Sequence, residues 1–223
     1  MGLARSITSA KARGAKTARA KPAVPPPAKV QSGDKAGLIL DAALGLFREH
    51  GYRRTSMEDI ANAAHVAKGT LYIYFKSKEE LFEGLARRLS AQIGEDVKAA
   101  LARDLPFEDK VLAVLDAKLG FVYRWVLSSP HASELTDPTS HLPDDVFGPV
   151  DRELRASLAD LFKAGVKSGI VDLKAAGLTP ETAVDTLLAA AHGAETGATG
   201  EEHFHDRLTR IGRLALRGLR AVP

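Results

Sequence analysis

The chain has 223 residues, 45% hydrophobic and 26% charged, with 31 Lys+Arg, 28 Asp+Glu and no cysteine. That composition is that of an ordinary globular chain of one sizeable domain or two small ones, and it excludes a disulfide framework, a thiolate metal site and a cysteine nucleophile. The net charge of +3 hides an asymmetry: residues 1–78 carry 14 Lys+Arg against 5 Asp+Glu, a net +9, and the remainder carries 17 against 23, a net −6. A basic first third on an acidic remainder is expected where one end meets a polyanion. No uninterrupted apolar run approaches the roughly 18 residues of a bilayer span, so no membrane partner is expected. The start lacks the apolar core of a secretory signal, which makes the cytoplasm the expected address.

Residues 1–33 hold seven basic residues and no acid, together with Pro22, Pro25, Pro26 and Pro27. Such a segment offers too little apolar surface to offset the entropy of ordering, and a disordered basic arm is expected. From Leu38 the apolar residues Ala42, Ala43, Leu46 and Phe47 recur at helical spacing until Gly51. Thr55-Ser56-Met57-Glu58 reads as a Thr-x-x-Glu capping box opening a second, short helix. A third helix is predicted from near Lys68 to Phe75. A fourth opens at Ser77 and carries Leu81, Leu85, Leu89, Ile93 and Val97 at every fourth position.

Further helices are predicted over about 107–128, 131–136, 143–169, 179–194 and 201–221, with Pro130, Pro138 and Pro143 at the joints. Thr179-Pro180 is a helix start, with Thr as N-cap and Pro at the first helical position. No stretch alternates with a period of two, so the fold class is all-α: a small N-terminal three-helix unit over 34–82 and a larger helical bundle over 83–223.

Counted from Met57, the residues Ile60, Ala61, Val66, Leu71 and Tyr74 have helix-turn-helix spacing. Ala61 is small where the two helices touch, and the larger apolar residues pin the crossing. The runs Gly51-Tyr52-Arg53-Arg54-Thr55-Ser56-Met57-Glu58-Asp59-Ile60-Ala61 and Val66-Ala67-Lys68-Gly69-Thr70-Leu71-Tyr72-Ile73-Tyr74-Phe75-Lys76-Ser77-Lys78 closely resemble the DNA-binding domain of the TetR family of bacterial transcriptional regulators. Two positions depart from the family pattern. His65 stands where glycine is usual and positive φ is often needed, and Ala67 replaces the usual N-cap serine.

The resemblance implies a repressor that binds a palindromic double-stranded DNA operator as a homodimer and is released by a small hydrophobic effector, with an efflux or detoxification gene as the regulated target. It implies DNA contacts from Thr55, Ser56, Lys68, Gly69, Thr70, Tyr72, Tyr74 and Lys78, with Phe75 in the core. It places the helix of 107–128 beside an effector cavity lined by Leu115, Leu119, Phe121, Val122 and Trp125, closed by Phe147 and Phe162. Dimerisation is expected through Ala189, Ala190, Ala191, Gly193 and Ala194 on one helix and Leu208, Ile211, Ala215 and Leu219 on the next. No cofactor, metal or catalytic constellation is expected. The alternative reading is a DNA-organising or cell-division-linked protein that recruits a protein partner.

Overall fold

The structure, a computed structural model, describes residues 34–136, 143 and 145–221. The expected arm of residues 1–33 lies outside the described residues, as does Pro138. The chain runs through α1 (Lys35–His50), α2 (Met57–Ala63), α3 (Lys68–Tyr74), α4 (Lys78–Ala102), α5 (Phe107–Leu115), α6 (Ala132–Leu135), α7 (Gly148–Lys167), α8 (Pro180–His192) and α9 (Glu201–Arg217). Among the described residues the one β-type pairing is an isolated bridge between Val171 and Arg220. The expected all-α architecture is the one observed.

The helix ends follow from side chains that satisfy free backbone amides. Asp34 caps α1 by accepting from the Gly37 amide, Ser77 caps α4 by accepting from Glu80, and Thr179 caps α8 by accepting from Thr182. The start of α2 differs from the sequence reading. Its N-cap is Ser56, and the capping box pairs Ser56 with Asp59 rather than Thr55 with Glu58. The reason is that the Thr55 hydroxyl is buried and donates to the Gly51 carbonyl at 2.8 Å, so it faces the turn and not the helix.

Ile39, Phe47, Ile60, Leu71 and Leu81 are fully buried and bind α1 to α4 into one core. The rings of Phe47, Tyr52 and Phe82 close it, with centroids 5.1–6.1 Å apart. Phe75 is buried as expected and packs on α4: a Cβ at Gly84 would stand 2.9 Å from its ring, so that glycine makes room for it. The long α4 belongs to both expected units, burying Leu81 and Leu85 near the first and Leu89, Ile93 and Val97 within the second.

Three features of the bundle depart from the expected helices. The stretch after α5 continues as two π-helical segments, Asp116–Gly120 and Tyr123–Leu127, whose turns hold one residue more than α-turns. The helix expected from 143 begins at Gly148, after a turn over 145–147. The last helix ends at Arg217 instead of about 221, because the chain then pairs Arg220 with Val171.

Candidate nucleic-acid interface and effector cavity

The α2–α3 turn brings the expected reading face together. His65 adopts φ +54°, the strained turn conformation that the sequence placed at this position. Ala67 leaves α3 without a side-chain cap. On α3, Leu71 is buried and anchors the helix, while Lys68, Gly69, Tyr72, Ile73 and Tyr74 are exposed and Thr70 is half-buried. The Lys68 ammonium pairs with Glu58 of α2 at 3.0 Å, and that hydrogen bond holds its pKa above the ordinary lysine value. The Ser56 hydroxyl is exposed at the start of α2, and its bonds to Asp59 hold that carboxyl below its usual range.

Two expected phosphate contacts are occupied otherwise. Thr55 is turned inward, as described above. The Lys78 ammonium donates to the carbonyls of Tyr52 at 2.9 Å and Thr55 at 3.0 Å and lies 4.4 Å from the centre of the Tyr52 ring. Both residues shape the turn before α2, because the carbonyls left after α1 need donors.

A cavity of about 380 Å³ opens in the bundle between α4, the π-helical segments, α6 and α7. Leu119, Phe121, Val122 and Phe147 line it as expected. Leu115, Trp125 and Phe162 do not. Leu115 and Phe162 are fully buried in helix packing, Phe162 against the ring of Phe107 at 5.7 Å, and Trp125 lies behind Phe121 with ring centres 6.2 Å apart. The π turns rotate the later part of the segment away from a 3.6-residue register, which moves Val126 into the lining and Trp125 out of it. Leu89 and Ile93 of α4 complete an apolar wall.

The sequence reading missed the cavity's polar edge, formed by Lys118, His192 and Glu195. Lys118 is ion-paired with Asp151, which also binds Arg155. His192 meets the Leu188 carbonyl through Nδ1 at 2.7 Å, and burial pushes the Glu195 carboxyl above its usual range. Charged residues in a bundle read as solvated faces in one dimension, and no sequence signal separates these three from their neighbours.

A joint links the cavity segment to α1. The Arg48 guanidinium lies 5.3 Å from the centre of the Trp125 ring and donates to the Arg124 carbonyl at 3.2 Å. The Ser129 hydroxyl donates back to the Arg48 carbonyl at 2.8 Å, and the Arg53 amide donates to Glu134 of α6 at 2.9 Å. That bond holds Glu134 below its ordinary pKa. Val126, Leu135 and Thr136 of the same stretch line the cavity, so it touches the cavity and the helix-turn-helix unit at once.

The expected dimer stripes divide between two roles. Ala191, Ala194 and Leu208 are buried in the chain's own core, whereas Ala189 and Ala190 on α8 and Gly193 at its end are exposed; Leu214 of α9, outside the expected stripe, is 78% exposed. Ile211, Ala215 and Leu219 are partly buried against the core. The arginines of α9 and its C-terminal end are mostly exposed, and several make ion pairs or hydrogen bonds to neighbouring segments. Arg207 donates to the carbonyls of Gly193 and Ala194, Arg213 pairs with Asp109, and Arg220 beyond the helix pairs with Glu108.

The sequence pattern described as "Bacterial regulatory proteins, tetR family" matches residues 39–85, the stretch from α1 into α4. The HTH-type transcriptional regulator YhgD of Bacillus subtilis is 31% identical over 138 residues, covering 62% of this chain and 72% of that protein. The HTH-type transcriptional repressor KstR2 of Rhodococcus jostii is 31% identical over 153 residues, covering 65% and 72%. A crystal structure of a TetR/AcrR-family transcriptional regulator from Thermobifida fusca superposes with a TM-score of 0.66 at 27% identity, covering 84% of this chain and 99% of that one. The helix-turn-helix on a helical bundle defines a class, the helix-turn-helix transcriptional regulators. Within that class the chain belongs to the TetR family of transcriptional regulators.

Proposed function

We propose that this regulator is a ligand-responsive repressor that binds a palindromic operator as a homodimer and leaves it when a small hydrophobic effector enters the cavity. The observation that carries the reading is the stretch from Arg124 to Thr136, which lines the cavity and also holds α1 and the α1–α2 turn by hydrogen bonds. An occupant that moves this stretch changes the position of α3, which is the coupling a ligand-released repressor needs.

On the DNA side, Lys68, Gly69, Thr70, Tyr72 and Tyr74 enter the major groove and Ser56 meets a phosphate, while Thr55 and Lys78 hold the turn that presents them. Exposed Leu214 and the small residues Ala189, Ala190 and Gly193 form the face on which a second copy packs. A two-fold protein then matches a two-fold operator. The apolar wall and short polar edge suit an amphipathic molecule whose bulk is hydrocarbon or aromatic. An effector that prefers the released form a hundredfold supplies about 2.7 kcal/mol per site against operator binding. The regulated gene then exports or degrades that molecule, as an efflux or detoxification gene does.

The test is fluorescence anisotropy of a labelled operator, recovered by selection from random duplexes, titrated with the protein and then with a panel of apolar compounds. Release of the duplex by some compounds at the concentrations where they bind supports the reading. Tight duplex binding that no compound disturbs contradicts it and favours the DNA-organising alternative.

A further inference from the structure

We infer that Ile73 is a specificity-determining residue that reads the C5-methyl group of a thymine in each operator half-site. The inference rests on the proposal that α3 enters the major groove and adds to it a named base and a named atom. Ile73 is 80% exposed, the highest value among the exposed large apolar side chains of the described residues. Its place on α3 gives that exposure a direction. Leu71 is wholly buried and marks the inward side. At about 100° per residue, Gly69 and Ile73 stand about 160° and 200° around from Leu71, so together they form the middle of the outward face.

Gly69 has nothing within 4 Å of the place where a Cβ would stand, and it is absent from the positive-φ glycines. Neither packing nor backbone conformation within the chain therefore calls for glycine there. The bare backbone at 69 and the branched side chain one turn later at 73 make a step on the surface that faces outward. Local chemistry does not favour isoleucine at such a position either. A β-branched residue lowers helix propensity, and an exposed site on a seven-residue helix is better served by Ala, Glu, Lys or Arg. The same branching restricts χ1 to one dominant rotamer, so the apolar group is held out stiffly.

Among the base edges of the major groove, the thymine C5-methyl is the apolar feature, while adenine, guanine and cytosine present donors and acceptors. Isoleucine has no polar atom beyond its backbone, so against any of those edges it would displace water and return no hydrogen bond. Against a thymine methyl it buries a methyl-sized group on each side. The flanking Tyr72 and Tyr74 point about 100° to either side of it, which suits them to the groove walls and leaves the floor to Ile73.

The experiment uses the full chain and the selected operator. Each symmetric pair of thymines is replaced by deoxyuridine, which removes the methyl alone, and affinity is measured by anisotropy for the wild type, Ile73→Ala, Ile73→Val, Lys68→Ala and Tyr72→Ala, with circular dichroism as the check on folding. One thymine pair is expected to be sensitive. Its replacement weakens wild-type binding about fourfold per half-site, or about 15-fold for the pair, on the scale of one buried methyl group. Ile73→Ala weakens binding to the thymine operator by a similar factor and is indifferent to deoxyuridine at that pair, while Ile73→Val keeps the sensitivity. Full deoxyuridine sensitivity in Ile73→Ala, unchanged affinity in that variant, or no sensitive thymine at all overturns the inference. If Lys68→Ala and Tyr72→Ala still lose affinity in that case, the major-groove reading survives without it. If no α3 substitution changes affinity, the major-groove reading itself falls, and the inference falls with it.

Discussion

Replacing Leu214 with glutamate tests the assembly on which palindrome recognition depends. Leu214 stands 78% exposed on α9, whose other large apolar residues are buried, as Phe204, Leu208 and Leu216 are, or partly buried, as Ile211 is. Burying a leucine side chain stabilises by about 1.5–3 kcal/mol, so seating Leu214 at a two-fold interface contributes roughly 2 kcal/mol from each protomer, or roughly 4 kcal/mol per dimer. Losing that term weakens dimerisation by about a thousandfold, and a pair of facing carboxylates adds repulsion. Since the residue contacts little within its own chain, the folded protomer should keep its helical circular dichroism and its melting temperature at matched oligomeric state. Sedimentation equilibrium over a range of micromolar concentrations is the assay. The wild type is expected to sediment as a dimer and Leu214→Glu as a monomer, with operator affinity dropping toward that of a single half-site. A folded Leu214→Glu protein with an unchanged dimer dissociation constant would refute the assignment of this face.

Other consequences are more local. Ser56→Ala removes the α2 capping box and is expected to lower stability by about 1 kcal/mol in urea unfolding. Thr55→Val strips the buried Gly51 carbonyl of its donor and is expected to cost about 1–2 kcal/mol, with operator binding preserved under native conditions; unaltered stability with lost DNA binding would return Thr55 to the phosphate contacts. His205 is held above the ordinary histidine value of 6.5 by the Asp116 carboxylate, which lies 2.6 Å from its Nδ1, with Glu201 adding to this against the opposing effect of burial. A raised folded-state pKa gives stability that is complete below the unfolded value and disappears as pH rises through the folded one. The melting temperature should therefore fall more steeply as pH rises above 6.5 for the wild type than for His205→Gln, and equal slopes would show that the pair contributes nothing.

The parts that the sequence made legible are those governed by short-range pattern. The α2–α3 unit follows from the spacing of Ile60, Ala61, Val66 and Leu71 together with the family resemblance of the residues around them, and His65 at φ +54° stands where the turn was expected. The shift of the cap from Thr55 to Ser56 escaped it because Thr and Ser both serve as caps, and the bond of the Thr55 hydroxyl to the Gly51 carbonyl decided between them. The cavity lining was half legible for a different reason. Leu119, Phe121 and Val122 follow from helical register, but two π turns change that register, so Trp125 turns toward Arg48 and Val126 takes its place. On α8 and α9, Ala191 and Leu208 pack inward while Ala190 and Leu214 face out, a division that composition does not encode because one bundle helix can serve two neighbours. Arg48 shows the same limit. An arginine in the last turn of a helix suits the dipole on the surface, and only the folded chain reveals its seat over Trp125.

The central claim, that occupancy of the cavity controls DNA binding, is tested most directly by filling the cavity from within. Val122 is partly buried on the lining, so Val122→Trp places a larger side chain into the apolar space. Operator affinity is measured by anisotropy for the wild type and this variant across rising concentrations of each apolar compound that the wild type binds, with circular dichroism confirming the fold. The account predicts that the compounds release DNA from the wild type, and that the variant, its cavity already occupied, binds the operator more weakly without any compound and no longer responds to them. Equal release of both proteins by the same compounds, at the same concentrations, would contradict it.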